Sequence, residues 1–128
     1  MSTVGRSDCE GERVMTIFLE DSFDAAHWLP NVSEHHKCRR MHGHTYRVRL
    51  EVSGEIDAVM GWVVDYSELK RLWEPVKAVL DHHCLNDFMP NPTCEIIARY
   101  IGKNIELVSR VELRETVNCG VVWSRHEG

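Results

Sequence analysis

The chain has 128 residues and carries 20 acidic against 15 basic side chains, a formal charge of -5. That length suits one domain burying roughly two thirds of its unfolded surface, and the acidic balance excludes a general nucleic-acid binder, which needs a basic face. No apolar run approaches the roughly 20 residues that cross a bilayer. The five cysteines, Cys9, Cys38, Cys84, Cys94 and Cys119, have no paired spacing and follow no signal-like apolar stretch, so a cytoplasmic, reducing setting is expected.

Residues 1–13 are polar and aperiodic and are read as a flexible leader, with no role for Cys9; residues 14–128 are read as a single domain. From Val14 the run Met15-Thr16-Ile17-Phe18-Leu19-Glu20 predicts a first strand that continues to His27. Turn formers and polar groups from Pro30 to His36 predict a loop. From His44 to Gly54 the pattern alternates, with Tyr46, Val48, Leu50 and Val52 on one face and Arg47, Arg49, Glu51 and Ser53 on the other, which predicts a half-buried strand. His42 and His44 share the parity of the apolar face.

Asp65-Tyr66-Ser67-Glu68 has the form of a capping box, and Leu69, Leu72, Trp73, Val76 and Leu80 behind it make one helical stripe. Pro75 inside that stripe is expected to kink or divide the helix. Asn91-Pro92 predicts an N-cap followed by proline at the first helical position, with Ile97, Ile101, Ile105 and Val108 as the second stripe. Two strands, Arg110 to Thr116 and Cys119 to Ser124, close the chain. The order ββααββ predicts an α+β fold, a four-stranded antiparallel sheet with both helices on one face. Its two free edges suit assembly into a ring of subunits.

The chemistry concentrates in Cys38-Arg39-Arg40-Met41-His42-Gly43-His44. Histidines at i and i+2 on an extended chain point the same way, and His27 at the end of the preceding strand is the natural third ligand. Three neutral imidazoles suit zinc and leave one tetrahedral position open, the pattern of a catalytic site. Cys38 is then either a base beside the metal or the fourth ligand of a closed structural site. Positive charge on Lys37, Arg39 and Arg40, and on the metal, favours its thiolate. The same basic triplet reads equally as a solvated loop or as a contact for an anionic substrate. Asp81-His82 offers a carboxylate beside an imidazole, a proton-relay pair, although a histidine at a helix C-terminus is also favoured by the dipole. Glu115 alone would read as a surface charge.

Several motifs in order, Phe23-Asp24-Ala25-Ala26-His27, His36-Lys37-Cys38, His42-Gly43-His44, Gly61-Trp62-Val63-Val64-Asp65-Tyr66, Leu80-Asp81-His82-His83, Leu85-Asn86-Asp87, Asn91-Pro92-Thr93 with Glu95, and Glu115-Thr116, resemble the 6-pyruvoyltetrahydropterin synthase superfamily. Within it the chain is most similar to the bacterial 6-carboxy-5,6,7,8-tetrahydropterin synthases, over about Phe18 to Val122. The resemblance implies the T-fold, subunits assembled as trimeric rings into a hexamer, and active sites at subunit boundaries. It implies zinc on His27, His42 and His44, Cys38 as the proton-abstracting base, Asp81 and His82 as a second proton relay, and Glu115 as the pterin anchor. The substrate so implied is 7,8-dihydroneopterin triphosphate, with acetaldehyde and triphosphate released on the way to queuosine or another 7-deazapurine.

Three residues between Cys38 and His42 resemble the carboxy-forming enzymes; pyruvoyl-forming relatives of animals place more there, and aldolase-like relatives carry glutamate in place of the cysteine. A pyruvoyl-forming or aldolase-like activity is the competing enzymatic reading, and a non-catalytic zinc or pterin-binding module the competing reading of another class. Asp65, Thr93 and Glu95 serve either the substrate pocket or helix capping. Cys84 adds a second thiol close in sequence to His82.

Overall fold

A strand that is apolar on one side only must bury that side against a second layer. The computed structural model describes residues 14–125; the leader and Cys9 lie outside the described residues. The alternating segment is a central strand, β2 (His42–Gly54), in a four-stranded antiparallel sheet of order β1-β2-β3-β4. Its companions are β1 (Met15–His27), β3 (Arg110–Arg114) and β4 (Gly120–Ser124). The last two strands are shorter than expected. Beyond Arg114 the N–H groups of Glu115 and Thr116 both turn to the carbonyl of Cys119, at 2.9 and 3.2 Å, and close the connection.

Register decides which side chains share a face. Tyr46 lies opposite Phe23, Leu50 opposite Leu19 and Val111, and Val48 opposite Leu113. This face meets helix α1 (Tyr66–Leu80) through Leu69, Trp73, Val76 and Leu80, and helix α2 (Cys94–Asn104) through Ile97, Ala98 and Ile101, in one core. Each such buried side chain contributes about 1.5–3 kcal/mol relative to exposure. The opposite face is charged; its one buried acid, Glu51, is held by Arg49 at 2.9 Å and by Arg110. Both helices therefore pack on the same, apolar side, as the pattern predicts.

The helix ends differ from expectation in detail. Asp65 does cap α1, but its carboxylate accepts from the N–H of Ser67 at 2.9 Å, and Glu68 turns outward to Arg71 instead of completing a capping box. Pro75 does not divide α1, which runs on as a single helix. The flanking anchors Trp73 and Val76 hold both halves to the core, and this packing outweighs the lost hydrogen bond. The α2 cap is Thr93, whose hydroxyl accepts from Ile96 N–H at 3.2 Å; Asn91 and Pro92 lie before it, and Pro92 is not in the helix. Gly102 in α2 faces Trp123 of β4 so closely that any Cβ there would overlap the indole. Among the described residues no helix is long and apolar enough to cross a membrane.

Candidate metal centre and active site

Strand pairing brings the histidines together. β1 and β2 are paired to their ends, with His27 opposite His42 and Ala25 opposite His44. All three rings therefore rise on the apolar face, past the end of the core, above the fully buried Tyr46. Their ring centroids are 4.5, 5.2 and 4.9 Å apart, and one nitrogen from each lies within 4.8 Å of the others.

Two of the remaining ring nitrogens are spoken for. His27 Nδ1 is 2.7 Å from the Pro92 carbonyl and His42 Nδ1 is 2.8 Å from the Arg40 carbonyl. A carbonyl only accepts, so each Nδ1 is the protonated nitrogen and each Nε2 keeps a lone pair. His44 Nε2 is buried without a hydrogen-bond partner. Burial lowers the pKa of His27 and of His44; the Pro92 carbonyl opposes the shift at His27, and the Glu115 carboxylate opposes it at His44, without reversing either. Three converging imidazoles, two of them kept neutral by burial and one presenting an orphaned buried nitrogen, are the donor set that zinc takes.

Cys38 lies outside this cluster. It sits in a short 3-10 turn, Lys37–Arg39, partly buried, where His36 Nδ1 accepts its N–H at 3.0 Å and its carbonyl accepts from Leu29 N–H at 2.8 Å. The Glu115 carboxylate stands 3.7 Å from His44 Nε2 and 3.9 Å from His27 Nε2, just beyond the end of β3.

Asp81 and His82 form a pair at the end of α1. His82 Nδ1 is 3.0 Å from Asp81 Oδ1, and the same oxygen accepts the Asp24 N–H at 2.9 Å. That N–H and the His82 ring hold the Asp81 carboxyl below the ordinary carboxylate range. His82 has a left-handed backbone, φ 61°, and donates its own N–H to the Asp24 carbonyl at 2.6 Å. The left-handed turn throws its ring outward, where 77 % of the side chain is exposed. A cleft of about 540 Å³ runs between this segment and the strand ends, lined by Asp24, Ala26, Gly43, His44, His82 and Cys84 among others. His44 of the histidine trio and His82 thus border one cleft, and Cys84 borders it too. Gly43 forms part of its floor.

Asp65 and Thr93 both act as helix caps, while Glu95 is exposed in the first turn of α2. Sequence reasoning missed the Pro92 and Arg40 carbonyls, since a backbone acceptor has no residue signature. Tyr46 could have been found, because it shares the parity of His42 and His44.

A four-stranded antiparallel sheet, two helices on one face and a histidine trio at the strand ends define a T-fold domain with a metal-capable site. A sequence profile described as 6-pyruvoyl tetrahydropterin synthase matches residues 16–126. A 6-carboxy-5,6,7,8-tetrahydropterin synthase of Synechocystis is 43% identical over 99 residues, covering 70% of this chain and 74% of its own. A dihydroneopterin monophosphate aldolase of Pyrococcus furiosus is 40% identical over 89 residues, 70% of this chain and 73% of that one. The structure of Caenorhabditis elegans 6-pyruvoyl tetrahydropterin synthase superposes with a TM-score of 0.81 at 25% identity, covering 88% of this chain and 96% of that chain. The chain belongs to the 6-pyruvoyl tetrahydropterin synthase family and is an enzyme of that family.

Proposed function

We propose that the chain is a zinc-dependent lyase that converts 7,8-dihydroneopterin triphosphate and one water to 6-carboxy-5,6,7,8-tetrahydropterin, releasing acetaldehyde and triphosphate, in queuosine or related 7-deazapurine biosynthesis. The observation that carries it is the convergence of His27, His42 and His44, with two Nδ1 atoms committed to carbonyls and Cys38 outside the trio. Similarity to an enzyme named for this product, and the three residues between Cys38 and His42, support the choice of product.

His27, His42 and His44 hold the zinc. When bound, it acts as a Lewis acid toward the side-chain hydroxyls of the pterin and acidifies the neighbouring C–H. Cys38 takes that proton, and Lys37, Arg39 and Arg40 around it meet the triphosphate. His82 returns a proton from the far side of the cleft, and Asp81, already 3.0 Å from its Nδ1, steadies the imidazolium. Glu115 accepts two N–H bonds from the aminopyrimidinone edge. Residues 14–128 form the single domain. The outer strands β1 and β4 offer the edges through which rings of subunits form, supporting a hexamer of two trimers.

A second reading, an aldolase-like activity on the same pterin, has the Pyrococcus relative in its favour. Product analysis after incubation with 7,8-dihydroneopterin triphosphate separates them. Acetaldehyde with a 6-carboxypterin is the expected result; glycolaldehyde, or a 6-pyruvoyl product, sinks the assignment. Cys38→Ala tests the mechanism: turnover falls about 10²–10⁴-fold, the range of acid–base catalysis, while zinc stays bound. Zinc lost together with the thiol would favour the non-catalytic module.

A further inference from the structure

β1 stops pairing with β2 at His27, and the next residue, Trp28, must find partners elsewhere for its N–H and C=O. Asn86 supplies both. Its Oδ1 accepts the Trp28 N–H at 2.9 Å, and its Nδ2 donates to the Trp28 carbonyl at 2.9 Å, in a partly buried setting. One side-chain amide thus reproduces the two bonds that a paired strand residue exchanges with its neighbour. One residue further on, Leu29 N–H donates to the carbonyl of Cys38 at 2.8 Å.

The rest of this loop is bonded to itself. His36 to Ser33, Arg39 to His36 and to Val32, Arg40 to Lys37 and Cys38 to His36 are all internal to residues 28–41. Apart from the Arg40 carbonyl bonded to adjacent His42, the amide of Asn86 is the loop's hydrogen-bond tie to the remainder of the fold, among the described residues. Asn86 also belongs to the segment that carries His82. That segment is itself fixed to β1 by His82 N–H to the Asp24 carbonyl and Ala26 N–H to the His83 carbonyl, at 2.6 and 3.0 Å.

We propose that Asn86 is a positioning residue that locks the loop carrying Cys38 to the segment carrying His82, so that proton acceptor and proton donor keep a fixed separation. The inference rests on Cys38 acting as the base. Through Trp28 and Leu29 the amide acts on the backbone of Cys38 without touching the reacting atoms, and it leaves His27 and His42 to their own carbonyl partners.

The test uses the full-length, zinc-loaded protein with Asn86→Ala, and Cys38→Ala as a separate control on the base. Turnover of 7,8-dihydroneopterin triphosphate, zinc stoichiometry and the iodoacetamide alkylation rate of the Cys38 peptide, followed by mass spectrometry, are read side by side. For Asn86→Ala, kcat is expected to fall on the order of 10²-fold, the effect of misplacing a catalytic group by about 1 Å, with KM nearly unchanged and zinc retained. Alkylation of Cys38 should accelerate as its loop comes free. A kcat within about threefold of the parent with unchanged alkylation, whatever the change in melting temperature, overturns the positioning role, as does loss of zinc. If Asn86→Ala does not fold, Asn86→Ser, which keeps a short hydroxyl, is judged by the same readouts. An active Cys38→Ala variant would refute the base itself; an inactive one alongside an unimpaired Asn86→Ala refutes the tie alone.

Discussion

His27 Nδ1 lies 2.7 Å from the carbonyl oxygen of Pro92, and this buried contact binds the end of β1 to the approach of α2. His42 makes the equivalent bond to Arg40, but at an exposed carbonyl. In the proposed zinc site the two histidines are equal as ligands, but they are unequal as structural elements. His27→Ala and His42→Ala should both lose zinc, as read by metal analysis. In chelator-treated protein His27→Ala should also lose about 1–3 kcal/mol in urea unfolding, the cost of orphaning a buried acceptor, whereas His42→Ala should stay close to the parent. Equal losses from the two variants would mean that the Pro92 bond contributes nothing of its own.

Asp65 belongs to a motif that also fits a substrate pocket, yet its carboxylate is engaged 2.9 Å from the N–H of Ser67. Removal of an N-cap costs about 1 kcal/mol and leaves the chemistry alone. Asp65→Ala is therefore expected to lower the melting temperature by a few degrees with kcat and KM unchanged. A large rise in KM without a stability change would instead return Asp65 to the pocket.

The apolar alternation from Tyr46 to Val52 was enough to place the core face of β2, and parity alone carried His42 and His44 onto it, because the period of an extended chain is fixed by geometry. The sheet order and the one-sided helices followed from element order and short connections. Helix punctuation was harder to read. Asn91-Pro92 imitates a helix start, but Thr93 has the hydroxyl in position, and Pro92 instead offers its carbonyl to His27 across 65 positions of sequence. Pro75 reads as a kink or a break in α1; it is not a break, and the burial of Trp73 and Val76 beside it, which holds both halves to the core, explains why the helix continues. Asn86 lay inside a recognised motif, but its bonds are to a backbone 58 residues away, which nothing local encodes.

Burial lowers the pKa of His27 and His44 from 6.5 in the folded, zinc-free chain. Unfolded, both rings take up protons near that ordinary value, so below it the unfolded state binds more protons than the folded one. Stability is then full above about pH 6.5, declines as the pH falls toward the lowered folded values, and levels off below them. Urea midpoints of chelator-treated protein between about pH 8 and pH 5 should fall on acidification. Zinc should raise the midpoint at the alkaline end and make the decline steeper, since protons compete for the same lone pairs. A midpoint that is flat, or that rises toward acid, would contradict the assignment of both rings as neutral in the fold.

Glu115 stands beside the histidine trio, with its two oxygens 3.9 and 3.7 Å from the Nε2 atoms of His27 and His44. A single carboxylate there can favour cations at the trio, or bind the two N–H groups of a pterin edge, and the readouts differ. Glu115→Gln keeps the shape but removes the charge and replaces one acceptor with a donor. As a pterin anchor, its loss should raise KM roughly 10- to 100-fold, the worth of a charge-assisted hydrogen bond, while zinc remains at one equivalent. A zinc content that falls with KM unchanged would move Glu115 from the substrate to the metal, and the pterin edge would then need another acceptor in the cleft.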